Sequence, residues 1–236
     1  VLTPAPELLP EKFLRWFEAR GWSPREHQLA LLEKARAGRS ALLIAPTGAG
    51  KTLAGFLPTL VELDGRESRA TSSGRNVQRS SGLHTLYISP LKALAVDIAR
   101  NLERPIAEMQ LPVKVETRTG DTPVSRRQRQ RRYPPDILLT TPEQLALLLA
   151  SADAPFLFSS LKRIVLDELH ALVTSKRGDL LSLGLARLFR MAPSITAIGL
   201  SATVAEPCSL SRFLVPQKMN AIAGADLVVA TGGAAP

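Results

Sequence analysis

Two hydrophobic rhythms alternate along the chain. Short, mostly apolar runs occupy residues 40–44, 83–89, 137–140, 163–167 and 195–200, with a shorter one at 227–230 and an alternating one, Val-Lys-Val-Glu-Thr, at 113–117. Between them lie longer stretches whose apolar positions return every three or four residues: 10–20, 23–37, 91–109, 142–150, 180–191 and 207–214. The runs predict strands and the stretches predict helices. Residues 123–132 add a polar helix carrying Arg126, Arg127, Arg129, Arg131 and Arg132, stopped by Pro134-Pro135. Gly21 and Gly38 close the first two helices. Ser23 at the N-cap, Pro24 at the first helical position and Glu26 predict a capping box opening the second. Residues 64–82 lack apolar periodicity and predict a mobile basic insertion between a helix and a strand.

Strands apolar on both faces, alternating with helices, predict a doubly wound, mostly parallel α/β sheet. Ligands on such a sheet collect beyond the carboxyl ends of its strands. The loops that follow the runs are therefore where chemistry is expected.

Composition narrows this picture. The 236 residues are 45% hydrophobic and 22% charged, which suits a globular chain with a sizeable core. The single cysteine, Cys208, excludes an internal disulfide and a cysteine-cluster metal site. It is expected to be an inert, partly buried thiol. No charged segment followed by an apolar core opens the chain, and no apolar run could span a bilayer. A cytoplasmic protein without a membrane partner is expected. The formal net charge of +9 points to an acidic partner, most commonly nucleic acid.

The loop after the first run reads Ala45-Pro46-Thr47-Gly48-Ala49-Gly50-Lys51-Thr52. Strand, glycine-bearing loop and helix form the context of a phosphate-binding loop. Backbone N–H groups of Thr47, Gly48, Ala49 and Gly50 would curl round phosphate oxygens, aided by the helix N-terminus. Lys51 would reach the β- and γ-phosphates, and the Thr52 hydroxyl would hold Mg²⁺. The general pattern has Gly where this chain has Ala45. The fifth run ends in Asp167-Glu168. Such a pair can cap a helix and offset its dipole. Beside a phosphate loop it reads as a metal-side carboxylate, Asp167, and a general base, Glu168. His170 beside Glu168 reads as a hydrogen-bonding relay. His27 and His84 have no such neighbours and read as ordinary histidines.

Taken together these stretches resemble superfamily 2 DExH-box helicases. Asp167-Glu168-Leu169-His170 resembles the D-E-x-H box, and residues 45–52 resemble motif I, where Ala in the first position is common. Ser201-Ala202-Thr203 resembles motif III, which implies that Ser201 and Thr203 couple the nucleotide and nucleic-acid sites. Gln28, with upstream Phe13, Trp16 and Phe17, resembles the Q-motif and implies adenine recognition. Ser89-Pro90-Leu91-Lys92 resembles motif Ia. Thr119-Gly120-Asp121 and Thr140-Thr141-Pro142-Glu143 resemble the turn beside motif Ib and motif Ib itself. These imply backbone-phosphate contacts from Ser89, Pro90, Lys92, Thr119, Gly120, Thr140, Thr141 and Pro142. APTGAGKTLAGFLP, SPLKAL and residues 176–181 are especially similar to the Lhr (large helicase-related) group and its ligase-associated branch.

The resemblance implies a RecA-like domain with ATP and Mg²⁺ as cofactors and ATP hydrolysis as its reaction. It implies 3′ to 5′ movement on single-stranded or partly duplex DNA and a role in repair. A nucleoid location follows, with a DNA ligase and a nuclease as companions. RNA or an RNA–DNA hybrid is the alternative substrate, and a non-catalytic nucleic-acid-binding module the alternative function. The expected organisation is a helical extension over 1–22, the RecA-like domain over 23–230 and a linker over 231–236. The linker would lead to a second RecA-like domain supplying the other wall of the ATP site, so this stretch alone is expected to hydrolyse ATP poorly.

Overall fold

The computed structural model describes residues 5–72, 82–174, 176–202, 204–217 and 223–230. Among these, seven strands form one sheet: β1 (Ala41–Ile44), β2 (Thr85–Ile88), β3 (Val115–Arg118), β4 (Ile137–Thr140), β5 (Arg163–Leu166), β6 (Thr196–Ser201) and β7 (Asp226–Val229). Their order across the sheet is β3-β4-β2-β5-β6-β1-β7, and every neighbouring pair is parallel.

The five central strands are short and mostly apolar because both faces are covered, whereas the edge strands β3 (VETR) and β7 (DLVV) are only partly buried. On β1, Ala41 and Leu43 enter one core while Leu42 and Ile44 enter the other. The first core lies under α2 (Glu11–Glu18), α3 (Glu26–Arg36), α4 (Lys51–Ser72) and α5 (Lys92–Glu108). The second lies under α7 (Pro142–Ala150), α8 (Ala154–Phe158), α9 (Leu169–Val173), α10 (Lys176–Met191) and α11 (Pro207–Ser211). The short α1 (Ala5–Leu8) precedes α2, and the arginine-rich α6 (Val124–Arg132) lies beside β3. There Glu116 is 4% exposed and ion-paired with Lys114, Arg126 and Arg129.

Three expectations are corrected, and two helices are added to those expected. The helix after the phosphate loop continues through Ser72, so 64–72 is helical; 73–81 lies outside the described residues. Arg and Glu are good helix formers, and the backbone ladder runs past Leu63, the last buried residue described on α4. The second helix begins at Glu26, not Pro24. Gln28 is its capping side chain, accepting the Arg25 N–H at 3.0 Å. Cys208 is exposed. Finally, the two short helices α8 and α9 are too brief to show a period in the sequence.

Candidate functional site

Parallel register aligns the strand ends. Arg118 pairs with Thr140, Thr140 with Ile88, Ile88 with Leu166, and Ile44 with Ser201. The six loops that follow therefore leave one edge of the sheet in a row. Five interstrand steps of about 4.8 Å make that row about 24 Å long. The order sorts the row into halves. Loops after β5, β6 and β1 carry Asp167-Glu168, Ser201 and the phosphate loop. Loops after β3, β4 and β2 carry the three stretches resembling nucleic-acid motifs.

The phosphate loop begins as sheet. The Ala45 N–H donates to Ser201 O at 3.1 Å, continuing the β1–β6 ladder. Ala45 needs no left-handed backbone, which explains why alanine fits there. Gly48 and Gly50 do need it, with φ of 81° and 74°. A Cβ on Gly50 would also lie 3.1 Å from Gln28 Nε2. Lys51 is buried and turns back into the loop, donating to Ala45 O at 3.0 Å and Pro46 O at 3.2 Å. Thr52 follows in the first turn of α4. Thr47 is exposed and Ala49 buried.

Gln28 stands behind this loop, nearly fully buried. One lone pair of its Oε1 receives the Arg25 N–H, leaving a second lone pair and the Nε2 donors. With Trp22, Arg25, Gly50 and Thr52 it lines a cavity of about 850 Å³. Trp16 and Trp22 flank the Arg20 guanidinium at 4.9 and 5.0 Å.

His27 was missed by the sequence reading. It is buried, and its Nε2–H donates to the Ala49 carbonyl at 2.9 Å. Burial pushes its pKa down, opposed by that hydrogen bond. A contact spanning 22 positions leaves no trace in local pattern. His84 is also engaged, at the far end of the sheet. Its Nδ1 lies 2.8 Å from Thr85 Oγ1, beside the Arg163–Glu62 ion pair.

At the end of β5, Asp167 is 5% exposed. Burial pushes its carboxyl above the usual range; the Tyr87 phenol and Lys51 ammonium pull the other way. Tyr87 is fully buried on β2 and stacks on Phe56 of α4 at 4.8 Å. Its hydroxyl faces Asp167 closely enough to affect the ionisation of both groups, without reaching ordinary hydrogen-bond geometry. Glu168 has φ 45° and ψ 49°, a left-handed conformation uncommon for a non-glycine residue. The turn re-aims the chain into α9. His170 Nδ1 then lies 3.5 Å from Glu168 Oε2 and 3.0 Å from Ser201 Oγ. The expected neighbour of His170, Glu168, is thus in place, and Ser201 joins it as a partner that the sequence did not predict. Thr203 lies outside the described residues.

In the other half, Thr140 is fully buried and donates its hydroxyl to Arg118 O at 2.8 Å. Ser89 is buried, with Oγ 3.3 Å from Leu91 O. Thr119, Thr141 and Pro142 are buried as well, while Lys92 and Gly120 are exposed. Arg127 shapes the turn at 119–122, donating to Thr122 O at 2.7 Å and Gly120 O at 2.6 Å. Lys92 Nζ pairs with Asp121 at 2.7 Å. Among the described residues no three His, Cys, Asp or Glu side chains could hold a metal by themselves. No helix among them is long and apolar enough to cross a membrane.

Comparison with known proteins agrees with this arrangement. The DEAD/DEAH box helicase family matches residues 25–210. The chain is 40% identical over 218 residues to the Lhr helicase/probable uracil glycosylase of Mycolicibacterium smegmatis, covering 88% of this chain and 14% of that protein. It is 38% identical over 209 residues to the ATP-dependent helicase Lhr-Core of Methanothermobacter thermautotrophicus, covering 85% of this chain and 23% of that one. The structure of Mycobacterium smegmatis helicase Lhr bound to ssDNA and AMP-PNP matches with a TM-score of 0.80 at 35% identity, over 96% of this chain and 28% of that one. The chain thus spans less than a third of the length of each of these relatives. The fold is that of a RecA-like helicase domain.

Proposed function

The chain belongs to the DEAD/DEAH box helicase family, and from that premise we propose that it is the ATP-binding first motor domain of an Lhr-type ATP-dependent helicase. The observation that carries this reading is the line of strand ends. Lys51 after β1 and Asp167-Glu168 after β5 flank the His170–Ser201 contact at β6.

The residues present fit ATP with magnesium. Two left-handed glycines curl the loop backbone, with the Lys51 ammonium inside the curl and the Ala49 N–H donating to Pro46 O at 3.3 Å; the curled N–H groups would take phosphate oxygens. Gln28, with its remaining lone pair and its amide donors, would read the adenine edge. A buried carboxylate pushed up by desolvation is a group that a cation stabilises, and Asp167 is one. Thr52 and Asp167 would hold the magnesium ion, which when bound neutralises phosphate charge. Glu168 would polarise the attacking water, oriented through His170 and Ser201. Lys51 would stabilise charge on the β- and γ-phosphates.

Lys92, Gly120 and the loop backbones at 89–91 and 140–143 offer contacts to backbone phosphates without reading bases. The relative bound to ssDNA supports DNA as the strand, with single-stranded or partly duplex DNA as substrate. Movement 3′ to 5′, a role in DNA repair with a ligase and a nuclease, and a location at the nucleoid complete the reading. All three rest on the resemblance to the Lhr group.

The test uses the full-length protein. Lys51→Ala and Glu168→Gln abolish ATP hydrolysis and leave single-stranded DNA binding intact. Hydrolysis that survives both changes overturns the reading. Filter binding to matched DNA and RNA strands at one salt concentration decides the substrate.

A further inference from the structure

The proposed carboxylate Glu168 and the proposed nucleic-acid segments stand at different strand ends. One side chain outside both sets joins them. Arg177, in the first turn of α10, donates from Nη1 to the Pro90 carbonyl at 2.9 Å. Its Nε lies 2.8 Å from Glu143 Oε1. Pro90 sits inside the loop after β2, and Glu143 follows Pro142 after β4. These strands are neighbours, with Ile88 opposite Thr140. Arg177 therefore holds both loops at once, through different nitrogens of one planar group.

Its own anchorage leads back to Glu168. Gly178 packs against the end of α9 so closely that a Cβ there would lie 2.6 Å from Val173 O and 3.0 Å from Val173 Cα and C. The start of α10 is thus seated on the backbone of α9. The carbonyl of Glu168 receives the N–H groups of Ala171 and Leu172 at 2.8 and 3.2 Å, which holds Glu168 in its left-handed conformation. That conformation is costly for a residue with a side chain and persists where its surroundings hold it. The Glu168 backbone is thus tied to the first turn of α9. Other features of the molecule, such as the Arg163–Glu62–His84 network, lie at the opposite sheet edge and reach neither half of the row.

Building on the function proposed above, we propose that Arg177 is a positioning residue that couples nucleic-acid occupancy at 89–92 and 140–143 to Glu168. A strand bound across those loops shifts Pro90 and Glu143 together. Arg177 carries the shift to α10, and the Gly178–Val173 contact carries it to α9. The guanidinium suits this task because its donors diverge in a fixed plane; a lysine ammonium cannot hold the same two acceptors in the same geometry. Arg177 and Glu143 are both about half exposed, so breaking their pair costs the fold little.

The experiment measures ATP hydrolysis by the full-length protein with and without single-stranded DNA, together with DNA binding and thermal melting. For Arg177→Met, DNA-stimulated kcat falls by about fivefold to 150-fold, the range of ordinary coupling between sites. Unstimulated kcat, KM for ATP, DNA affinity and melting temperature stay near wild type. Arg177→Lys shows the same defect in milder form. Glu143→Gln reproduces part of it, and the double variant is no worse than Arg177→Met alone. Unchanged stimulation in Arg177→Met overturns the proposal, as does a loss of DNA affinity that accounts for the whole defect. A wild-type protein whose hydrolysis ignores nucleic acid overturns the helicase reading and the coupling with it. A stimulated wild type with an indifferent Arg177→Met overturns the coupling alone.

Discussion

At the scale of single residues, the candidate site depends on groups that locate the side chains proposed to react. His27 shows this most directly. Its Nε2–H supports the phosphate loop through Ala49 O, and burial favours the neutral ring. The folded-state pKa lies below the ordinary value of 6.5. The unfolded chain therefore takes up the proton first as pH falls. The stability His27 contributes is present above about pH 6.5 and is lost as pH drops through the depressed value. Melting temperature should decline below about pH 6.5, and His27→Gln should flatten that part of the profile while its amide still donates to Ala49. Superimposable wild-type and variant profiles between about pH 5 and pH 7 would refute this role. Neither His27 nor Arg177 was legible in the sequence as a site residue, because each acts on a segment brought near only by folding. Lys51, Asp167 and Glu168 were legible as candidates because the roles proposed for them follow from residue type and position after a strand.

At the scale of elements, apolar periodicity located all seven strands of the sheet and most helices, with ends displaced by one to a few residues. It failed where packing does not set the pattern. The continuation of α4 to Ser72 rests on propensity and the backbone ladder, and α9 is too short to have a period. Yet α9 is the element that joins the DExH box to α10, and Gly178 makes the junction possible. Gly178→Ala should push against a carbonyl rather than a flexible side chain, costing about 1–3 kcal/mol. For a chain of this size that lowers the melting temperature by roughly 2–4 °C per kcal/mol. Hydrolysis should fall further than stability accounts for, because α9 carries the Glu168 turn. A melting temperature within experimental error of wild type would sink the close-packing account.

At the scale of the whole molecule, the net charge of +9 and the row of loops bear on one quantity, the salt dependence of strand binding. Log affinity for single-stranded DNA should fall linearly with log salt, by about 0.7 per phosphate neutralised. Lys92 is exposed, and its partner Asp121 is exposed too. Such a pair contributes little to the fold and is available to a phosphate. Lys92→Gln should reduce the slope by about 0.7 and weaken all sequences alike. An unchanged slope would remove Lys92 from the contact surface.

The sequence by itself determined the class of fold, the phosphate loop and the carboxylate pair, since strand burial, glycine geometry and charge after a strand are local matters. It also carried the family, through motifs that each occupy only a few neighbouring residues. The strand order was decided by tertiary structure alone. Parallel pairing set the six loops in one row and sorted them into two halves. It also brought His170 to Ser201, His27 to Ala49, and Arg177 to both Pro90 and Glu143. Those contacts join segments far apart in the chain, and no local rhythm encodes a meeting that only the packed sheet enforces.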